Sequence, residues 1–247
     1  MIFIRGDTHG NVDPFFDDSL FIKCREQKAK YLIVAGDFGM LFDRAREGEE
    51  KKKLKFLGKA PCTILFVDGN HEDFSRISRY PVEMWNGGKV HRISDNVLHL
   101  MRGQVFDIDS LSVFSMGGAY SSDKARRIEN ISWWKDELPQ ESEYEEARKN
   151  LSAHKNRVDL IVTHTAPYAT LDVLFRLRKL PSSPDPHEIR LNRFLEEIAQ
   201  TVEYKQWFFG HLHIDAYAGR RQTALYQDVY QITKEGACEH AFKGAAY

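Results

Sequence analysis

Five short apolar runs in this 247-residue chain each stop at side chains able to bind a metal ion. Ile2-Phe3-Ile4 leads into Gly6-Asp7-Thr8-His9, and Leu32-Ile33-Val34-Ala35 into Gly36-Asp37. Ile64-Leu65-Phe66-Val67 leads into Gly69-Asn70-His71-Glu72, Leu160-Ile161-Val162 into Thr163-His164, and Trp207-Phe208-Phe209 into Gly210-His211-Leu212-His213. In an extended stretch, residues two apart point to one side, so Asp7 with His9 and His211 with His213 can each offer two ligands to one place. With Asp37, Asn70 and His164 the set holds two carboxylates, one amide oxygen and four imidazoles, enough for two ions sharing Asp37 as a bridge. Such nitrogen and oxygen donors suit Mn²⁺, Fe or Zn²⁺. Two such ions ~3.5–4 Å apart can hold a hydroxide at neutral pH and stabilise both the attacking and the leaving oxygen of an in-line displacement. The chemistry is hydrolysis at phosphorus.

The elements that must position these groups follow from the apolar pattern. Continuous apolar runs of this length are strands buried on both faces, and ligands in open α/β sheets gather beyond the carboxyl ends of such strands. Asp13-Pro14 supplies a cap and a first-turn proline for a helix over residues 13–27, which closes a βαβ unit with the run at 32–35. Residues 44–59 form a charged helix that buries Leu54 and Leu57 and leaves Lys51-Lys52-Lys53 on a solvated face. Segments 89–93, 97–101, 104–108 and 111–116 are β-like and divided by short turns, which predicts an antiparallel meander. It delivers a polar, basic and aromatic loop over residues 120–138. Helices at 141–153, 167–177 and 188–202 follow, the last two separated by a proline-rich loop at 181–186; β-like runs at 216–218 and 224–232 close the chain. The expected fold is α/β, two βαβ-type halves around a mixed sheet in one domain, residues 1–247.

Lys and Arg number 35 against 36 Asp and Glu, so there is no overall basic field and no compositional case for nucleic acid or an anionic membrane; a local basic pocket stays open. Cys24, Cys62 and Cys238 are scattered without metal or disulfide spacing, which implies reduced thiols. No signal peptide or long apolar span is evident, and residues 2–4 already form a core strand, so the expected compartment is the cytoplasm. His91, His99, His154, His187 and His240 lack comparable surroundings and read as structural or solvent-facing.

In order and in full, the motifs Asp-x-His, Gly-Asp, Gly-Asn-His-Glu, a lone His and Gly-His-x-His make the chain resemble the calcineurin-like metallophosphoesterases. The resemblance covers residues 7–213 and implies a four-layer α/β/β/α sandwich. It also implies one ion held by Asp7, His9, Asp37 and His213 and a second held by Asp37, Asn70, His164 and His211. His71 would stabilise developing charge or protonate the leaving oxygen. Met40 stands where phosphoprotein phosphatases of the family carry the Asp that pairs with this His, which leaves Asp43 and Asp73 as candidates to orient it. Arg79, Lys124, Arg126 and Arg127 are candidates to grip phosphate oxygens. The expected activity is hydrolysis of phosphomonoesters by a metal-bridging hydroxide, protein Ser/Thr phosphatase chemistry included. A phosphodiesterase or nuclease, with Trp133-Trp134 and the basic loop against a nucleotide, is the competing enzyme reading. A binding scaffold without turnover is the third.

Overall fold

The computed structural model describes residues 1–16, 20–177 and 185–243. Strand β1 (Ile2–Arg5) is followed by the short helices α1 (Asp13–Phe16) and α2 (Leu20–Glu26), then β2 (Tyr31–Val34), α3 (Glu47–Leu57), β3 (Thr63–Phe66) and α4 (Phe74–Ile77). Strands β4 (Val82–Trp85), β5 (Gly88–Ser94), β6 (Val97–Leu100), β7 (Gln104–Ile108) and β8 (Leu111–Met116) come next. After α5 (Glu141–Ala153), the chain runs through β9 (Leu160–Thr163), α6 (Tyr168–Leu177), α7 (Ile189–Thr201) and β10 (Gln206–Phe209). It closes with β11 (Ala216–Gly219), β12 (Gln222–Ala224), β13 (Asp228–Ile232) and β14 (Cys238–Lys243). Most of the expected 181–186 loop lies outside the described residues.

Two mixed sheets result. One has the order β14-β13-β1-β2-β3-β6-β5-β4, the other β11-β12-β10-β9-β8-β7. Alternation along the strands explains how they stack. Phe3, Leu32, Val34, Ile64 and Phe66 pack with residues of α1 to α4, while Ile2, Ile4, Ile33, Leu65 and Val67 face inward. On the other sheet Phe114, Ile161, Trp207 and Phe209 pack with α5 to α7, and Val113, Leu160, Val162 and Phe208 complete the inner cluster. Burial on both faces is why these runs lack a polar residue at every second position. The layers are helix, sheet, sheet, helix, as the family resemblance implied.

The segments expected to form one meander are shared between the sheets. β4, β5 and β6 pair antiparallel in the first and β7 with β8 in the second, the chain crossing over at residues 101–103. A period of two is the same within one sheet or across two, so the pattern cannot mark the crossing. Likewise the run at 224–232 is divided, β12 lying parallel to β10 in one sheet and β13 antiparallel to β1 in the other. Of the helix expected over 13–27, residues 13–16 and 20–26 are helical, and residues 17–19 lie outside the described residues.

A buried ion pair ties the crossing down. Arg102 donates from Nε and Nη2 to Asp68 Oδ2 at 2.8 and 2.6 Å, His99 Nε2 lies 3.0 Å from Asp68 Oδ1, and Arg102 Nη1 reaches Glu143 on α5 at 3.2 Å. Burial alone would raise the Asp68 carboxyl, but Arg102 and His99 override it and hold it well below the ordinary carboxylate range. A depressed folded-state pKa adds stability above the unfolded value, about 3.9, that is lost as pH falls below it. Arg102→Met, which leaves Asp68 buried without its main partner, should cost about 3–5 kcal/mol in urea unfolding at pH 7. Asp68→Asn should flatten the loss of stability below about pH 4 relative to wild type; parallel acid limbs would show that the pair does not anchor the crossing.

Candidate metal centre

The turns after β1, β2, β3, β9 and β10 are tied to one another through their own polar groups. Thr8 and His9 donate their backbone N–H to Asp37 O at 3.0 and 2.8 Å, and His71 N donates to Asp37 Oδ1 at 2.8 Å. His211 N donates to Asp7 Oδ1 at 3.1 Å, and Gly210 N to His164 O at 2.9 Å. The turns sit so close that glycine is required at their entrances. A Cβ on Gly69 would lie 2.0 Å from Asp37 Oδ1, and one on Gly210 would lie 2.1 Å from Asp7 Oδ1. His9, Asp37, His211 and His213 all have positive φ, between 45 and 66°. That left-handed region is sparsely populated by non-glycine residues, and its use by four donor-bearing residues in one place marks a site held by its surroundings.

One ligand atom from each of Asp7, His9, Asp37 and His213 lies within 4.8 Å of the others, a group able to hold a metal ion. His9 and His213 bring their Nε2 atoms to 2.8 Å, and His213 Nε2 is 3.1 Å from Asp7 Oδ2. On the other side of Asp37, His164 Nε2 is 3.3 Å from both Asp37 Oδ1 and Asn70 Oδ1. His164 Nδ1 donates to Ala35 O at 3.1 Å, which leaves Nε2 to face the two oxygens. The His211 ring stands 5.0 Å from that of His164. The carboxylates, Asn70 and His164 form a buried floor, and His9 and His213 an exposed rim.

The electrostatics fit a cation here. Burial opposes the charge on His164, yet Asp37 beside it raises its pKa to about 10. Burial would raise Asp37, yet the same contact, with His71 and His9 adding to it, pushes it far down. Asp37 thus faces Asp7 on one side and Asn70 on the other, and buried oxygens so placed call for positive charge, which is what a divalent ion supplies.

The sequence-expected phosphate ligands separate. Arg127 reaches the site: its Nη2 is 3.1 Å from His71 Nε2, and its Nε pairs with Asp123 at 2.7 Å. Because guanidinium can only donate, Nε2 of His71 is the acceptor and the ring is neutral, in line with burial lowering its pKa to about 4. Lys124 turns away to the buried Glu137 at 2.7 Å. Arg126 and Arg79 are exposed, Arg79 just beyond α4. Neither acid proposed to orient His71 contacts it: Asp73 is bound bidentately by Arg44 at 2.6 and 3.1 Å, and Asp43 caps the next turn through Ala45 N. Phe42 packs against the His71 ring instead, and Met40 is buried in the outer core. Beside the rim opens a cavity of about 500 Å³ lined by His9, Phe42, Arg46, Lys53, His71 and His213, among others. Lys53, expected on a solvated face, donates to Gly10 O at 2.7 Å in the first ligand turn.

Three positioning residues had no local signal in the sequence. Glu188 is buried, accepts from Thr165 Oγ1 at 2.6 Å, Asn192 Nδ2 at 2.9 Å and Tyr120 N at 2.7 Å, and lies 3.6 Å from His211 Nε2. From the 120–138 loop Ser121 meets Asn70, and Glu137 meets Ser121. Ser121 lies 51 positions from Asn70 and Glu188 lies 68 from Tyr120, separations to which no motif spacing applies.

The family model for calcineurin-like phosphoesterases matches residues 2–215. The chain belongs to this family. Among curated relatives of this calcineurin-like phosphoesterase, a lariat debranching enzyme of Schizosaccharomyces pombe is 25% identical over 232 residues, covering 85% of this chain and 47% of the relative. Those of Drosophila pseudoobscura (24%; 86% and 42% covered) and Danio rerio (19%; 94% and 43%) are similar too. The chain therefore spans less than half the length of these relatives. A solved crystal structure, 11% identical, aligns over 96% of both chains with a TM-score of 0.57, a likeness in fold. Among the described residues no helix is long and apolar enough to cross a membrane.

Gly69→Ala should weaken Mn²⁺ binding by more than about 10-fold in a protein whose far-ultraviolet circular dichroism is unchanged. Gly48→Ala, in α3 where a Cβ meets nothing within 4 Å, should leave binding intact and raise stability by about 0.5–1 kcal/mol. Equal metal binding by the two variants would contradict the close approach of Gly69 to Asp37.

Proposed function

We propose that the chain is a dinuclear metal-dependent phosphodiesterase. The observation that carries this reading is the placement of Asp37 between two donor groups, with a guanidinium and a neutral imidazole at the edge of the cluster. On this reading Asp7, His9, Asp37 and His213 hold one ion, and Asp37, Asn70, His164 and His211 hold the other. All belong to one catalytic domain. When bound, the ions supply a nucleophilic hydroxide near neutral pH and neutralise charge on the phosphoryl oxygens.

The chain's own residues do the rest. Arg127, braced by Asp123, offers its fork to the non-bridging oxygens of the phosphate. His71, kept neutral by burial and by Arg127, stands at the leaving-group side as a hydrogen-bonding partner for the departing oxygen. The rim cavity lies within the range of small-ligand sites, about 300–1,000 Å³, and gives the second ester substituent a place that a monoester does not need. Relatives named for debranching lariats support a diester over the monoester expected from the sequence.

The test pairs bis-nitrophenyl phosphate with nitrophenyl phosphate after reconstitution with Mn²⁺, Fe²⁺ or Zn²⁺. The diester should turn over faster, and Asp37→Asn or Asn70→Ala should cut the rate by more than about 100-fold, beyond what loss of an outer partner costs. Arg127→Ala should raise KM and lower kcat, whereas Arg126→Ala should stay near wild type. Faster monoester turnover would restore the phosphatase reading, and no turnover with any of the three ions would leave a binding scaffold.

A further inference from the structure

The amide of Asn70 has two ends of similar shape and opposite character, and only one of them suits a cation. Asn70 is buried at 5% exposure, with Oδ1 toward His164 and Nδ2 toward Ser121 Oγ at 3.2 Å. Ser121 Oγ has one proton, which it donates to Glu137 Oε2 at 2.8 Å, so its lone pairs face Asn70. Glu137 is kept an acceptor by two donors on its other oxygen, Ser121 N at 3.1 Å and Lys124 Nζ at 2.7 Å. Lys124 is itself held between the rings of Tyr120 and Trp133, 4.2 and 4.1 Å from their centroids. Glu137 is fully buried and Ser121 is 1% exposed, so water does not compete for these bonds.

We propose that Ser121, Glu137 and Lys124 form a positioning relay that fixes the amide orientation of Asn70, presenting Oδ1 to the metal centre and keeping Nδ2 away. The proposal rests on the reading of Asn70 as a metal ligand. A flipped amide would aim two N–H donors at the cation and set Oδ1 against the Ser121 lone pairs. The relay prevents this because the hydroxyl proton is committed to Glu137. Lys124, a phosphate-gripping candidate on its sequence alone, thereby serves the metal side.

Calorimetric titration of Mn²⁺ into the metal-free full chain tests it, with thermal unfolding measured on each variant. Asn70→Ala identifies which binding event depends on the amide. Ser121→Ala should weaken that event about 10–100-fold, the usual cost of losing an outer-sphere partner, and leave the other event and the Tm near wild type. Ser121→Thr, which keeps the hydroxyl, should restore it, and Glu137→Gln should fall between. An Asn70-dependent event unchanged in Ser121→Ala overturns the relay, as does equal weakening of both events together with a lowered Tm, or no recovery in Ser121→Thr. An isotherm unaffected by Asn70→Ala overturns the ligand reading, and the relay with it.

Discussion

Asp7 and Asp37 are each 1% exposed, and their carboxylates reach one small volume at the seam between the two sheets. Like charges held this close and this deep repel and lose hydration, so they persist only where donors and cations surround them. Around Asp37 the structure supplies a backbone N–H from His71 and the ring of His164; around Asp7 it supplies the backbone N–H of His211 and the ring of His213. The partners come from three turns, those after β3, β9 and β10. The carboxylates therefore fix where five strand ends must meet, and the glycines at 69 and 210 are the spaces that permit it.

That constraint explains why the sequence was legible where it was. A strand buried on both faces has to be apolar throughout, and a strand that ends at a shared centre has to end in glycine and a donor. Both signatures are local and recur at Asp7, Asp37, Asn70 and His211; at His164 the strand ends in threonine instead. The four layers followed from the family motifs together with this pattern. What stayed hidden was set by contacts across sequence. The crossing at residues 101–103 leaves the period of two intact, and the pair that anchors it joins Asp68 to Arg102 with no spacing rule between them. Lys53 sits in a run of three lysines, yet it alone reaches back to the Gly10 carbonyl.

Position 40 shows how one substitution is absorbed. The family resemblance implied an acid at this point to pair with the histidine. Met40 instead packs into the outer core with Phe38 and Phe66. The histidine is then placed by other means, with Phe42 against its ring and Arg127 on Nε2. An acid partner would raise the imidazole pKa, whereas a guanidinium and burial lower it, so a neutral ring is the form this environment selects. Asp43 and Asp73, the acids expected to orient it, are committed to capping a turn and to Arg44.

The 120–138 loop leaves the second sheet after β8 and touches two consecutive residues of the turn after β3 in the first. Ser121 meets Asn70, and Arg127 meets His71. Between them Lys124 and Asp123 hold the loop to Glu137 and to Arg127 itself. A displacement of the loop thus acts on the amide and the imidazole together, although one faces the buried floor and the other the open cavity. Buried, charge-assisted bonds resist such displacement far better than the exposed charges beside them. The two halves of the site share one support: Arg127, proposed to grip the phosphate, is held by the same segment as Ser121, proposed to orient Asn70.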